Sequence, residues 1–254
     1  MSELQTRGRR LLIEELGAGE PAVLLLPGLL QSSRDWVRSG VAPALAQRWR
    51  VILFDPLGHG GSDRPHDAGA YGEEGLVEDV ISVLDAAGVE RVALWGWSRG
   101  ARMAYATAFA HPERVAALVA GGQPLRSALE TSSRLTRLAA ALADDPDRFF
   151  EEIGVGSAAA REYLLANNDL EAILAALRGQ ARQPIEIDLA SLSAPVLLYS
   201  GADDPAREEV ERTAERLGAP LAVFEGLDHG GMFLRSRQLL PRIEELLGSV
   251  VPTR

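Results

Sequence analysis

Residues 91–110 read RVALWGWSRGARMAYATAFA. Arg91–Trp95 is a short apolar run of the kind that forms a buried strand, and Ser98–Ala110 carries the spacing of an amphipathic helix. Between them, Gly96-Trp97-Ser98-Arg99-Gly100 fits Gly-x-Ser-x-Gly. In that pattern the glycines permit a sharp strand-to-helix turn that holds the serine hydroxyl exposed. The pentapeptide alone is a weak signal, and its position between a strand and a helix is what gives it weight.

Working outward, further apolar runs bounded by turn residues predict strands at Arg10–Ile13, Ala22–Leu26, Arg50–Phe54, Val115–Ala120, Pro195–Ser200 and Leu221–Phe224. Helical periodicity lies between them at Arg34–Gln47, Glu74–Ala87, Arg207–Leu217 and Arg235–Leu247. Strands apolar on both faces and alternating with helices argue for an α/β fold with a mostly parallel, doubly covered sheet. Leu4–Thr6 and Arg10–Glu14, flanking Arg7–Gly8, predict an antiparallel hairpin at one edge. From Leu125 to Ile187 no strand pattern occurs, only Ala/Leu/Arg-rich helical periodicity. That block is read as an inserted helical cap over residues 122–189, with 1–121 and 190–254 forming the core; the competing reading packs these helices directly on the sheet.

Composition narrows the chemistry. The chain has 254 residues and no cysteine, and all 26 basic residues are arginine. Thiol nucleophiles, zinc–thiolate sites and iron–sulfur clusters are excluded, as are Schiff-base lysines and a P-loop lysine. With four scattered histidines a metal site is not expected. A formal net charge of −10 disfavours a nucleic-acid partner. No apolar run reaches the ~20 residues needed to span a bilayer, and Met1–Arg10 lacks the apolar stretch of a signal peptide. The expectation is a cytoplasmic protein with a small-molecule substrate, no cofactor and no membrane partner; the sequence is silent on oligomeric state. Gly17–Ala22 and Gly154–Ala159 formally fit a dinucleotide-binding glycine pattern, but neither follows a strand and opens a helix.

A serine hydroxyl needs a base to take its proton. Of His59, His66, His111 and His229, the last follows the final strand in Asp228-His229-Gly230-Gly231, on a loop able to reach over Ser98. His59 lies in a glycine turn, His66 in a polar loop, and His111 ends a helix before Pro112. The base in turn needs a carboxylate to orient it. Asp203 and Asp204 follow Pro195–Ser200; Asp204 is favoured because Pro205 biases it toward an extended conformation, with an ordinary helix cap as the alternative role.

The chain order Ser98, Asp204, His229, together with Leu24–Trp36 (LLLPGLLQSSRDW), Asp55–Asp63 (DPLGHGGSD) and Leu227–Gly230, resembles the α/β-hydrolase superfamily over essentially the whole chain. The resemblance implies catalysis by Ser98, His229 and Asp204, the acid standing three residues after Gly201. It also implies an oxyanion hole made by the backbone N–H groups of Leu29 and Arg99. Pro27 departs from the family, whose members usually carry histidine before this glycine. Ser98–Arg102 (SRGAR), with Ser32–Trp36 upstream, further resembles the menaquinone-pathway synthase branch, whose members use a similar triad to eliminate pyruvate. On that reading Arg102 or Arg99 grips a substrate carboxylate; the alternative is that both are structural ion pairs. Trp97 and Trp36 are candidates to line the substrate pocket, with core packing the commoner fate of such residues. Cofactor-independent cleavage of a small or medium ester or lactone is the leading expectation. A lyase or C–C bond hydrolase and a low-turnover ligand receptor on the same fold are its rivals.

Overall fold

The computed structural model describes residues 2–250. All the predicted strands form and join one sheet. They are β1 (Ser2–Thr6), β2 (Arg9–Leu16), β3 (Ala22–Leu26), β4 (Val51–Asp55), β5 (Val92–Trp97), β6 (Val115–Gly121), β7 (Val196–Gly201) and β8 (Leu221–Phe224). The order across the sheet is β1-β2-β4-β3-β5-β6-β7-β8. β1, β2 and β4 pair antiparallel and every other neighbour is parallel. The edge hairpin turns through Arg7 and Gly8, both at positive φ, the conformation a two-residue turn requires. The chain is an α/β-hydrolase fold, with β5 at its centre.

Helices cover both faces because each central strand is apolar on both. Leu24 and Leu26 of β3 and Leu94 of β5 face α3 (Glu73–Ala86) and α4 (Arg99–Ala110), whose Val80, Leu84 and Tyr105 meet them. The intervening Val23, Leu25 and Trp95 face the opposite layer, α1 (Ser33–Arg38), α2 (Val41–Leu45) and the C-terminal helices, through Trp36, Leu45 and Ile243. This two-residue alternation splits the core into two layers, in which each fully buried leucine contributes on the order of 2 kcal/mol.

Two helical expectations need correction. Arg34–Gln47 is not one helix: Gly40, at φ 78°, breaks it into α1 and α2. Arg235–Leu247 is also divided, into a 3₁₀ turn at Ser236–Leu239 and an α-helix at Leu240–Ser249 (α11), which Pro241 opens in its first turn. Proline lacks the N–H that a continuous helix would need there.

Between β6 and β7 the chain inserts α5 (Ala128–Asp144), α6 (Pro146–Glu152), α7 (Ala158–Asn167) and α8 (Leu170–Arg182). The start of α5 is fixed by a capping box in which Ser127 and Glu130 satisfy each other's backbone N–H. Leu138, Leu142, Phe149, Phe150, Ile173 and Leu177 form a separate apolar cluster inside the insert. Leu30, from the loop after β3, joins that cluster and ties the insert to the end of the sheet. α9 (Arg207–Leu217) follows β7, and α10 (His229–Leu234) follows β8.

Candidate active site

The order of strands reverses between β3 and β5, where an open α/β sheet leaves a crevice at its carboxyl edge. Ser98 stands there, at φ 51° and ψ −118°. For a residue with a Cβ this is sparsely populated backbone that costs about 1–3 kcal/mol, and surrounding contacts must enforce it. They do so by close approach. A Cβ on Gly96 would lie 2.3 Å from the carbonyl oxygen of Gly100, and one on Gly100 would lie 2.1 Å from that of Leu26. The Ser98 N–H donates to the carbonyl of Gly121 at the end of β6, 2.8 Å away.

His229 is the first residue of α10 rather than a loop residue. Asp228 caps that helix by accepting from the N–H of Gly231 at 2.7 Å, so the carboxylate next to His229 in sequence is occupied. Asp204 is the one that meets the imidazole: Nδ1–H of His229 donates to its Oδ2 at 2.8 Å. Its Oδ1 accepts from the N–H of Ala206 at 2.9 Å, which fixes the carboxylate in the turn before α9, whose own N-cap is Ala206. Burial raises the Asp204 pKa, but the hydrogen bond and charge of His229, with the Ala206 amide, outweigh it and hold the group below the usual carboxylate range. Asp203 is exposed, and only its backbone is engaged, donating to the carbonyl of Leu227.

Ser98, Asp204 and His229 line one cavity of about 330 Å³ that runs from the sheet edge into the insert. Leu29 and Arg99 border it too. Arg99 is the first residue of α4, so its N–H has no acceptor within the helix. The Leu29 N–H has none among the described residues. The loop carrying Leu29 is tightly set: the side chain of Gln31 accepts from the Gly28 N–H at 2.9 Å, and Leu30 adopts φ 63°.

The tryptophans separate. Trp97 lines the cavity and packs on the His229 ring with centroids 4.8 Å apart. Trp36 does not reach the cavity. It is fully buried, edge-on to Trp95 at 5.3 Å and Phe233 at 5.1 Å, and belongs to the core.

The arginines call for a correction as well. Arg102 borders the cavity, but its guanidinium is not available to a substrate carboxylate. It holds Glu73 in a bidentate pair, Nε to Oε1 and NH2 to Oε2, both at 2.9 Å. It also donates to the carbonyls of Arg126 and Ile185, so it fastens α4 to α3 and to both ends of the insert. Arg99 is nine-tenths buried and donates through Nε to Gln180 at 3.1 Å, while NH1 and NH2 have no hydrogen-bond partner among the described residues. Burial lowers its pKa to about 10, leaving the side chain cationic.

The other histidines lie elsewhere. His59 is fully buried, with Nδ1–H donating to Leu57 O at 3.1 Å, and desolvation followed by the Arg99 charge pushes its pKa down to about 3. His66 bridges Asp169 and Glu171 of the insert, each at 2.9 Å. His111 caps α4 beside Glu113. The Asp55–Asp63 turn is structural: Asp55 accepts from the N–H groups of Ser33 and Gly61, at 2.8 and 2.7 Å.

Several contributors escaped the sequence reading. Gly122, at φ 60°, lies where a Cβ would sit 2.8 Å from both the His229 ring and Trp97. The Gly121–Gly122 pair, which spans the end of β6, is the available signal. Asn168, Arg126 and Arg134 come to the site only through folding of the insert, and no local pattern marks them.

Residues 21–170 match the profile of a family described as the alpha/beta hydrolase fold. A 2-hydroxymuconate semialdehyde hydrolase of Pseudomonas putida is 33% identical over 216 residues, covering 82% of this chain and 71% of that protein. Among solved structures, a thermophilic esterase from Thermogutta terrifontis superposes with a TM-score of 0.81 at 23% identity, covering 98% of this chain and 99% of that one. The bottromycin epimerase BotH superposes with the same TM-score at 22% identity, covering 97% and 98% of the two chains. An esterase and an epimerase at equal structural distance mean that such likeness speaks for the fold and not for the reaction.

Proposed function

This chain belongs to the α/β-hydrolase fold family, and from that premise we propose that it hydrolyses a small or medium carboxylic ester or lactone through an acyl-enzyme. Ser98 Oγ attacks the carbonyl carbon while His229 Nε2 takes the hydroxyl proton. Asp204 holds the opposite ring nitrogen as a donor and stabilises the imidazolium that forms. The N–H groups of Leu29 and Arg99 receive the oxyanion, each contributing roughly 10²–10³ in rate. His229 returns the proton to the leaving alkoxide as the carbon–oxygen bond breaks. A water then repeats the sequence on the acyl-enzyme, releasing the acid. Residues 122–189 act as a cap that encloses the substrate.

The observation that carries this reading is the 2.8 Å hydrogen bond between Asp204 and His229, inside the cavity that Ser98 also lines. Its test is Ser98→Ala, which loses ester turnover and labelling by a serine-directed sulfonyl fluoride. Full labelling of that variant places the nucleophile elsewhere.

A second reading is cleavage of a carbon–carbon bond in an anionic substrate, favoured by the 33% identity to a protein named for 2-hydroxymuconate semialdehyde. Turnover of that semialdehyde at a kcat well above that on any ester decides for it.

A further inference from the structure

The charged groups around the cavity differ in how they are satisfied. On the core side, Arg102 is held by Glu73 and Asp204 by His229. In the insert, Glu152 borders the cavity beside Glu151 but is held by Arg137 and Arg148 at 3.2 and 3.4 Å, and Arg161 reaches Asp147 at 2.8 Å and Glu151 at 3.9 Å. Arg134 of α5 differs from all of these. It is half-buried on the wall of the cavity and meets no carboxylate among the described residues. Arg126, just before α5, lines the same wall and contacts Glu209 through Nε at 2.9 Å. Burial, and then the charges of Arg126 and Arg137, disfavour the cationic form of Arg134, and the more distant carboxylates of Glu209 and Glu152 offset this only in part. A desolvated cation next to another cation is unfavourable until an anion joins them. Of the two insert arginines that line the cavity, Arg126 has Glu209 while Arg134 has no carboxylate within ion-pair distance among the described residues, which leaves its guanidinium open to an anion from outside.

Building on the hydrolase reading, we propose that Arg134, with Arg126 beside it, forms an anion subsite at the insert end of the cavity and that the substrate carries a carboxylate there. Guanidinium groups hold carboxylates through paired, charge-assisted N–H donors, which fixes orientation as well as affinity. A carboxylate at the insert end and a scissile carbonyl at Ser98 define a half-ester of a dicarboxylic acid, or a lactone bearing an acid group. The role assigned from sequence to Arg102 therefore passes to arginines of the insert.

The test uses two esters of the full chain's proposed class that differ by a methyl against a carboxylate: p-nitrophenyl pentanoate and mono-p-nitrophenyl glutarate. The ratio of their kcat/KM values, glutarate over pentanoate, falls at least tenfold in Arg134→Gln, mainly through KM, and less in Arg134→Lys. Arg242→Gln, exposed on α11 in the opposite helical layer, keeps the ratio within twofold. An unchanged ratio in Arg134→Gln, or loss of both esters in step, overturns the subsite. If the wild type cleaves neither ester, the hydrolase reading is what fails, and calorimetric titration with glutarate judges the subsite independently. Glutarate binding that disappears in Arg134→Gln supports it; equal binding in the two proteins, or none to the wild type, overturns it.

Discussion

The side-chain amide of Asn168, at the junction of α7 and α8, donates to the carbonyl of Leu30 at 3.0 Å. Leu30 is one of three non-glycine residues with positive φ among those described, and it directly follows the proposed oxyanion donor Leu29. The insert thus holds in place a strained loop that carries the proposed oxyanion donor. Asn168→Ala is expected to lower kcat about tenfold with a smaller change in KM, because loss of alignment acts on the transition state more than on ground-state binding. The folded state loses only about 1–3 kcal/mol for the two hydrogen bonds of this amide, to Leu30 and to Leu164. Steady-state kinetics set beside thermal unfolding distinguish this from a general loss of structure.

Asp203 and Asp204 are neighbours in sequence with opposite fates: one exposed, the other bonded to both His229 and the Ala206 amide. Asp204→Asn places an amide where a carboxylate holds the imidazole and should lower kcat by roughly 10³–10⁴. Asp203→Asn should change kcat by less than twofold. Equal losses in the two variants would remove the orienting role of Asp204.

The difference between what the sequence conveyed and what it withheld has a physical basis. β3, β5 and the Gly96–Gly100 turn are legible because burial on two faces and close backbone approach restrict residue types locally. His229 was readable from its place after the last strand, yet its seat at the start of α10 was not, since Asp228 appears in sequence simply as an adjacent acid. Arg102 shows the limit. Four residues after Ser98, it has the spacing of a substrate ligand, but whether a guanidinium is free depends on a carboxylate 29 positions away, Glu73. Trp36 shows the same limit: the loop before α1 borders the site, while the Trp36 ring, in α1, turns back onto Trp95.

The Arg102–Glu73 pair is buried at both ends, with side chains 8% and 5% exposed. Removing one partner strands a charge away from water, so Arg102→Ala is expected to cost about 3–5 kcal/mol of stability. Replacing both residues with apolar ones of similar size, Arg102→Met with Glu73→Leu, should recover much of that. The chemical-denaturation midpoints of the two single variants and the double variant measure the coupling. Additive losses would show that the pair does not act as a unit.

His59 supplies a pH dependence whose sign follows from its burial. Its pKa is about 3 in the folded chain, against an ordinary value of 6.5. Below pH 6.5 the unfolded chain takes up a proton that the folded chain refuses, so the unfolded state gains. The stability tied to neutral His59 is therefore fully present above about pH 6.5 and is lost progressively as pH falls toward 3. One proton corresponds to about 1.4 kcal/mol per pH unit. His59→Leu removes the titrating group and also the donor to Leu57, so its absolute stability at pH 8 is not the readout; the slope is. Between pH 6 and pH 4, the fall in unfolding free energy should be shallower in His59→Leu than in the parent by up to that amount. Parallel slopes in the two proteins would mean that His59 is protonated in the folded state and that its surroundings accept the charge.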